Sequence, residues 1–339
     1  MSQIGLFDIE NRLAELSALG DPLEKLDKAI NWNHFKPLLN KAFRKERKSN
    51  AGRPPYEYVM MFKVLVLQTM YNLSDAQTQF QMLDRYTFRR FLGIQTENQI
   101  PDEKTVWAFR ETLTQTETIK KLFDLFDRYI TVAGYKAKKG QIIDASFVEV
   151  PRQRNNREEN EDIKQGKTPD EWLDNPSKLS QKDLDARWTK KNDQTFYGYK
   201  NHVNVDVKGK LIREYSVTPA NVHDSQELEN TLDEDNTGSG VWADSAYHSE
   251  ESENILKKRT LKSHVHRKSY RNHPLSEFQN HRNTEKSRIR VRVEHVFGWM
   301  ENQTGSLIRC IGQLRAATRI GLMNLVYNMN RYRYLRSIA

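Results

Sequence analysis

The segment Gln141–Val150 reads QIIDASFVEV and predicts a β-strand that is buried on both faces. Its first half is almost continuously apolar and rich in β-branched side chains, as in strands at the centre of an α/β sheet. Asp144 lies in the middle of this strand, where desolvation strongly disfavours an unpaired carboxylate. Asp144 is therefore expected to meet a cation, a hydrogen-bond network or the mouth of a functional site.

Further strand and helix signals follow on the C-terminal side of this segment. Strands are predicted at 196–207, 211–220, 240–244 and 261–267, with a hairpin turn at Gly209 joining the first two. Helices are predicted at 225–232, 287–303 and 311–337. This order predicts a mixed α/β sheet flanked by helices, in which acids at strand ends share the carboxyl edge where sites usually form.

The chain before this sheet has a helical pattern from about residue 23 to 135. Residues 1–135 are therefore predicted to form an all-helical domain for DNA binding or dimerisation, and residues 136–339 the α/β domain. Residues 85–91 alternate arginines with aromatic side chains, which fits a DNA-facing helix or, more often, a core face flanked by solvated arginines. The tract 152–195 has ten acidic and ten basic residues and predicts a surface insertion or a mobile loop.

Composition narrows the class of partner and the compartment. The 339 residues include 54 Lys and Arg against 45 Asp and Glu, and the net charge of +9 favours polyanionic partners. The single cysteine, Cys310, excludes an internal disulfide framework and multi-cysteine zinc sites, as expected in a reducing cytosol. We find neither a signal-peptide pattern nor an apolar segment long enough to span a membrane, and expect a cytoplasmic protein.

Three acids lie where a plain structural role is awkward: Asp144 inside a strand, Asp244 at a strand end, and Glu294 on a basic helix beside its predicted buried seam. Converging carboxylates repel one another unless hard cations neutralise them, so we expect Mg²⁺ or Mn²⁺. Two such ions can promote in-line phosphoryl transfer. In the alternative interpretation, the two aspartates only cap strand ends, and Glu294 pairs with Arg290.

Residues 257–292 contain twelve lysines and arginines, four histidines and only two acids. Solvated charge runs are normally mixed in sign, so this segment predicts a surface for a phosphate backbone. The predicted DNA contacts in and beside it include Arg267, Lys268, Arg288 and Arg292. The expected partner is double-stranded DNA.

Four other side chains have both a DNA-binding and a structural interpretation. Lys200 and His202 alternate with apolar residues and form either a basic DNA-facing strand face or a solvated outer face. Tyr247 and Trp299 can stack on an unpaired base, although aromatic residues beside a sheet more often belong to the core.

Two histidine patterns also have two interpretations. His223 and Asp224 supply either a metal ligand or base, or simply a helix cap. His264 and His266 alternate on a predicted strand, but without cysteines or a second histidine pair they are a weak zinc signal. We expect this second pair to face phosphate or solvent.

Together these segments resemble bacterial insertion-sequence transposases with an Asp-Asp-Glu triad, specifically the group called insertion sequence five. The resemblance covers nearly the whole chain. Its N-terminal motifs are GRPPYEYVMMFKVLVLQTMYNLSDAQ, FRRFLGI and PDEKTVWAFR, and its core motifs are IIDASFVEVP, YGYKNHVNVDV, TPANVHDSQEL, WADSAYHSEE and IRVRVEHVFG. Each motif is weak alone, but their order makes the resemblance specific.

The resemblance implies a ribonuclease-H-like catalytic domain in which Asp144, Asp244 and Glu294 are the catalytic, metal-binding acids. It also implies that Arg290 holds a phosphate of the transposon end. Ser287 and Glu301 stand where the family pattern has tyrosine and lysine. The implied activity is binding of terminal inverted repeats, metal-dependent nicking and transfer of the 3′ hydroxyl into target DNA.

Two other functions remain open from the sequence: a metal-dependent nuclease without strand transfer, and a non-catalytic DNA-binding descendant of a transposase. Retention of all three acids counts against the second. By analogy with synapsis of two DNA ends, we expect a homodimer or higher oligomer on DNA, associated with the nucleoid of a prokaryotic cell.

Overall fold

The computed structural model describes residues 8–44, 54–96, 99–191, 193–236, 238–270 and 273–338. The chain forms two compact units, one of residues 1–126 with 325–339 and one of residues 127–324. The predicted domain ranges, 1–135 and 136–339, differ from these units because the end of the last helix packs in the first unit, where Tyr332 contacts Phe126 edge to face. Gly52 and Arg53, at the start of the first resemblance motif, lie outside the described residues.

The first unit is helical, as predicted. Its helices are α1 (Asp8–Ala18), α2 (Pro22–Ala29), α3 (Lys36–Ala42), α4 (Tyr58–Met70), α5 (Asp75–Asp84), α6 (Tyr86–Leu92), α7 (Glu103–Gln115) and α8 (Thr118–Val132), the last of which ends in the second unit. Ser74 caps α5 in a reciprocal capping box with Gln77, and Asp102 caps α7 through the Thr105 amide.

The arginines of α6 hold the first unit together. Arg90 bonds to the buried Asp21 at 2.5 Å, and Arg89 donates to the carbonyl oxygens of Met82 and Leu83. Phe88 is buried on the same helix. These contacts favour the interpretation of α6 as a core face flanked by arginines over a DNA-facing helix.

The second unit is built on a six-stranded mixed sheet. Its strands are β1 (Gln141–Glu149), β2 (Arg187–Lys191), β3 (Gln194–Asp206), β4 (Ile212–Pro219), β5 (Gly240–Ala243) and β6 (Lys262–Ser263). The strands lie in the order β4-β3-β1-β5-β6. Strand β3 pairs antiparallel with β1 and β4, and β5 pairs parallel with β1 and β6. Strand β2 pairs antiparallel with the first residues of β3. This sheet confirms the α/β fold class and the ribonuclease-H-like arrangement implied by the resemblance.

Helices cover both faces of the sheet. The helices of this unit are α9 (Arg157–Lys164), α10 (Asp170–Leu173), α11 (Pro176–Leu179), α12 (Leu228–Thr231), α13 (Glu250–Lys258), α14 (Glu277–Arg290), α15 (Glu294–Thr304) and α16 (Gln313–Ser337), whose last turns belong to the first unit. One core joins Val148 and Tyr199 to Ile320 of α16, and the other joins Ile143 and Ala243 to helices on the opposite face. Polar side chains on either face of these strands are therefore covered unless they lie near an edge.

The tract 152–195 contains α9, α10, α11 and β2, and it has a packed centre of its own. Trp172 is fully buried, and its Nε1 donates to Glu159 Oε1 at 2.6 Å. Lys178 donates to the same oxygen at 2.9 Å, so the buried Glu159 carboxylate has a cationic partner. This packing favours the surface insertion over the mobile loop. The β2 strand was missed because its RWTKK sequence lacks an apolar alternation.

No helix in the described part of the chain is both long enough and apolar enough to cross a bilayer.

Candidate active site

Two of the three predicted acids lie side by side where the parallel pairing of β1 with β5 ends, Asp144 inside β1 and Asp244 just after β5. The parallel pairing of β1 with β5 runs to Ile143 opposite Ala243, so Asp144 and Asp244 each follow the last paired residue. Neighbouring strands lie about 4.8 Å apart, which brings the two aspartates close together at the point where β5 ends beside β1. Asp244 Oδ1 accepts the Ala246 amide at 2.7 Å and caps a short 3₁₀ turn, which fixes this carboxylate.

The two carboxylates interact electrostatically. Asp144 is only 5% exposed, and burial raises its pKa to about 6, with a further upward contribution from the charge of Asp244. The Arg290 guanidinium opposes this shift. Paired oxygen donors that repel each other fit a hard divalent cation, which would neutralise both.

Arg290, the last residue of α14, supplies positive charge at the pair. Its Nη1 donates a charge-assisted hydrogen bond to Asp144 Oδ2 at 2.5 Å. The Arg290 side chain is half-buried, and that of Asp144 is buried. The alternative prediction paired Arg290 with Glu294. The structure pairs it with Asp144, on a different element.

The third predicted acid, Glu294, is not brought into contact with this pair. The predicted continuous helix 287–303 is interrupted by a 3₁₀ turn at Val291–Val293, so α14 ends at Arg290 and Glu294 starts α15 with an exposed side chain. Across the described ranges, no group of three or more His, Cys, Asp or Glu side chains is arranged to hold a metal ion. The predicted seam residues Val293, Val296 and Met300 are buried, as expected, and the role of Glu294 as the third metal-binding acid stays a prediction.

The structure also corrects three predicted DNA contacts, because their side chains are buried. Lys200 is 8% exposed and donates to Asp224 Oδ1 and to the Val222 carbonyl oxygen, both at 2.7 Å. His202 is fully buried against Thr218 Oγ1, and burial lowers its pKa to about 4. Tyr247 is also fully buried, and desolvation raises its pKa well above the usual value. Both faces of the sheet are covered, so strand alternation did not predict solvent exposure here.

Three other predicted contacts lie on the surface. Arg267, Lys268 and Arg288 are exposed, and the main chain of Arg267 exchanges two hydrogen bonds with Asn283 of α14. Burial and the nearby Arg282 and Arg267 charges lower the pKa of Lys286 on that helix. Concentrated positive charge of this kind fits a phosphate-binding surface.

Among the remaining predicted side chains, Arg292, Trp299 and His264 are half-buried, whereas His223 is exposed. Arg292 donates to the Val207 carbonyl oxygen at 2.9 Å, and Trp299 lies on α15. His223 caps a 3₁₀ turn through its Nδ1, whereas the adjacent Asp224 is the partner of Lys200. His264 stacks on Trp242 with 4.5 Å between ring centroids. The cap and stacking contacts favour the structural interpretations of His223 and His264.

One charged side chain near the acids was not predicted. The positive charge of Lys191, the last residue of β2, lowers the pKa of Asp144. Lys191 lies in the tract interpreted as an insertion, so it was not considered part of the site. The two adjacent lysines, Lys190 and Lys191, come just before the strand predicted from residue 196. They are the signal in the sequence that could have indicated a basic side chain near the acids.

Comparisons with known proteins give two family matches and one structural match. The family described as Transposase DDE domain matches residues 135–329, and the family described as Transposase domain (DUF772) matches residues 11–112. Among solved structures, the cryo-EM structure of the piggyBac transposase synaptic complex with hairpin DNA is similar, at 14% sequence identity and a TM-score of 0.43. That match covers 94% of this chain and 79% of the other.

Proposed function

Because the chain belongs to the transposases that carry a DDE domain, we propose that it binds the terminal inverted repeats of an insertion sequence, cuts their ends and joins them to target DNA. The observation that supports this proposal is the position of Asp144 beside Asp244, where β5 ends next to β1, with Arg290 of the basic helix α14 bonded to Asp144. Membership of the group called insertion sequence five is part of the proposal.

The proposed chemistry has two phosphoryl transfers. In the first, the oxygen of water attacks a phosphorus at the element end, and the bond from that phosphorus to the 3′ oxygen breaks. The products are a free 3′ hydroxyl and a 5′ phosphate. In the second, that 3′ hydroxyl oxygen attacks a phosphorus in target DNA and displaces the target 3′ oxygen. Each bond formed replaces one broken, so no external energy source is required.

Transposases with a DDE domain generally use divalent metal ions, and we propose Asp144, Asp244 and Glu294 as the ligands of Mg²⁺ or Mn²⁺, with two ions in the site. When bound, such ions lower the pKa of the attacking hydroxyl and neutralise developing charge on the phosphate. Asp144 and Asp244 lie at the same edge, whereas Glu294 has to approach them. Arg290 neutralises Asp144, and a DNA phosphate would compete for the same guanidinium.

The proposed DNA surface consists of the exposed Arg267, Lys268 and Arg288, with Arg290, Arg292 and Trp299 at its half-buried margin. Phosphate contacts of this kind position a duplex without reading its sequence. We propose that a homodimer or higher oligomer holds two DNA ends, and that the protein acts in the cytoplasm on nucleoid DNA.

Replacing Arg267, Lys268 and Arg288 together by glutamine is expected to weaken binding of duplex DNA and to flatten its salt dependence. Removing one phosphate-binding charge should reduce the slope of log affinity against log salt by about 0.9. Fluorescence anisotropy at several salt concentrations measures this slope. The matched control replaces Arg157, Lys164 and Lys167, which are exposed on or just after α9, and should leave the slope near the wild-type value. Equal slopes for the two triple variants would contradict the assigned surface.

The test of the proposed function is an assay on labelled DNA that carries the repeats flanking the coding sequence. With Mg²⁺ or Mn²⁺, we expect nicked ends and strand-transfer products, and EDTA should remove both. Cutting without joining would contradict the proposal and show that the protein is a metal-dependent nuclease. Specific binding without cutting in either metal would replace it by a non-catalytic DNA-binding protein.

A further inference from the structure

Large apolar side chains are exposed on one side of the helical unit. Phe80 and Leu83 of α5, Tyr86 at the start of α6 and Trp107 of α7 are each between 42% and 61% exposed. Apolar residues that lie singly on a surface are ordinary, whereas a cluster of them marks an interaction site. We call these four side chains the apolar face.

Two polar contacts hold α5 and α7 side by side. Gln79 Oε1 accepts the Glu103 amide at 3.0 Å, and Arg110 donates to both carboxylate oxygens of Asp75 at 2.7 Å. The residue numbers of these pairs fall along α5 as they rise along α7, so the two helices run antiparallel. Trp107 lies one turn after Glu103 and thus beside α5. The apolar face therefore extends over neighbouring helices.

The charges at the border of the apolar face have both signs. Asp84, Asp102 and Glu103 are exposed there, together with Arg85 and Lys104. The chain as a whole has a net charge of +9, so this border is more acidic than the rest of the protein. Such a border disfavours a polyanion and fits another protein surface with charges of both signs.

The exposed stripe of α7 is complementary to itself. Lys104, Trp107, Ala108 and Glu111 follow one another at three, one and three residues and therefore share one side of the helix. Gln115 Nε2 donates to Glu111 Oε1 at 2.8 Å on the same helix. If two copies of α7 pack antiparallel about a twofold axis between residues 107 and 108, Lys104 lies opposite Glu111 of the partner subunit at both ends. The small, exposed Ala108 allows the helices to approach closely.

We propose that a second copy of this chain covers the apolar face, with α7 packed antiparallel on α7 and α5 alongside. A symmetric dimer requires a surface that is complementary to itself, and the stripe of α7 meets this requirement. The inference rests on the homodimer of the proposed function, to which it assigns a surface. The dimer is expected to form without DNA.

The first test is sedimentation velocity of the full chain at several concentrations without DNA. We expect a dimer for the wild type. Trp107→Gln and Phe80→Gln should each raise the dissociation constant of the dimer by at least about tenfold, because buried aromatic side chains dominate interface energies. Leu173→Gln changes an exposed apolar residue on α10, in the second unit, and should leave the dissociation constant unchanged. Circular dichroism shows whether each variant is folded.

A charge exchange tests the antiparallel pairing directly. Lys104→Glu or Glu111→Lys alone places like charges opposite each other at both ends of the stripe and should weaken the dimer. The double variant restores opposite charges and should recover an affinity near that of the wild type. These changes avoid the aromatic side chains, so they test the proposal also if a glutamine variant fails to fold. A double variant that dimerises no better than the single variants would overturn the inference.

Three other outcomes would also overturn the assigned surface. These are a wild type that is monomeric at every concentration, a folded Trp107→Gln that dimerises as the wild type does, and a Trp107→Gln that dimerises normally but binds duplex DNA more weakly. The last would make the apolar face a DNA contact. A monomer that still cuts and joins DNA ends would leave the proposed chemistry standing, whereas a dimer that does neither would overturn that chemistry alone.

Discussion

Asp144→Asn and Asp244→Asn are each expected to reduce cutting and joining of labelled DNA by at least about a thousandfold, because each removes a carboxylate that we propose as a metal ligand, and such a ligand is worth several kcal/mol in phosphoryl transfer. DNA affinity should remain near the wild-type value. Burial raises the pKa of Asp144, which means that folding disfavours its charged form. A neutral asparagine of similar volume should therefore be tolerated, and activity should be lost without unfolding.

The third acid has a matched control on its own helix. Glu294→Gln is expected to remove activity to the same extent, whereas Glu301→Gln, an exposed glutamate further along α15, should retain it. Single-turnover cleavage rates, with anisotropy as the measure of binding, separate chemistry from affinity. Wild-type cleavage by Glu294→Gln would show that the site functions with the two aspartates alone or with a different third ligand.

Lys200→Met is expected to destabilise the fold by about 3–5 kcal/mol, because it leaves the buried Asp224 carboxylate without its cation. The buried pair has side chains only 10% and 9% exposed, so water cannot replace the missing partner. Unfolding by urea, followed by circular dichroism, measures the change in free energy of unfolding.

The double variant Lys200→Met with Asp224→Asn supplies the control. It removes both charges and is expected to recover a large part of the stability that the single variant lacks. If Lys200→Met alone kept wild-type stability but bound duplex DNA more weakly, Lys200 would be a DNA contact after all. The buried ion pair predicts the opposite pattern.

The strands and the pair of aspartates could be predicted from the sequence because their signals are local. QIIDASFVEV and the shorter GVWAD place an acid near the end of an apolar run, and parallel pairing brings such ends together. The third acid, Glu294, was predicted from its position on a basic helix beside an apolar seam, and the resemblance implied the same role. The helix spacing around Glu294 correctly predicted that Val293, Val296 and Met300 are buried, but it did not predict the 3₁₀ turn at Val291–Val293.

Burial of the polar strand residues was harder to predict. Alternation along β3 shows that Lys200 and His202 share a face, but it does not show whether another element covers that face. In this fold, the segment around Asp224 covers it and supplies the partner for Lys200. A charge on one strand and its counterion on a distant loop cannot be paired from spacing alone.

The tract 152–195 connects β1 to β3, the two strands with the longest mutual pairing in the sheet. Its contacts among Trp172, Glu159 and Lys178 lie within the tract itself. Substitutions on its outer surface should therefore leave the register of β1 and β3, and with it the position of Asp144, unchanged.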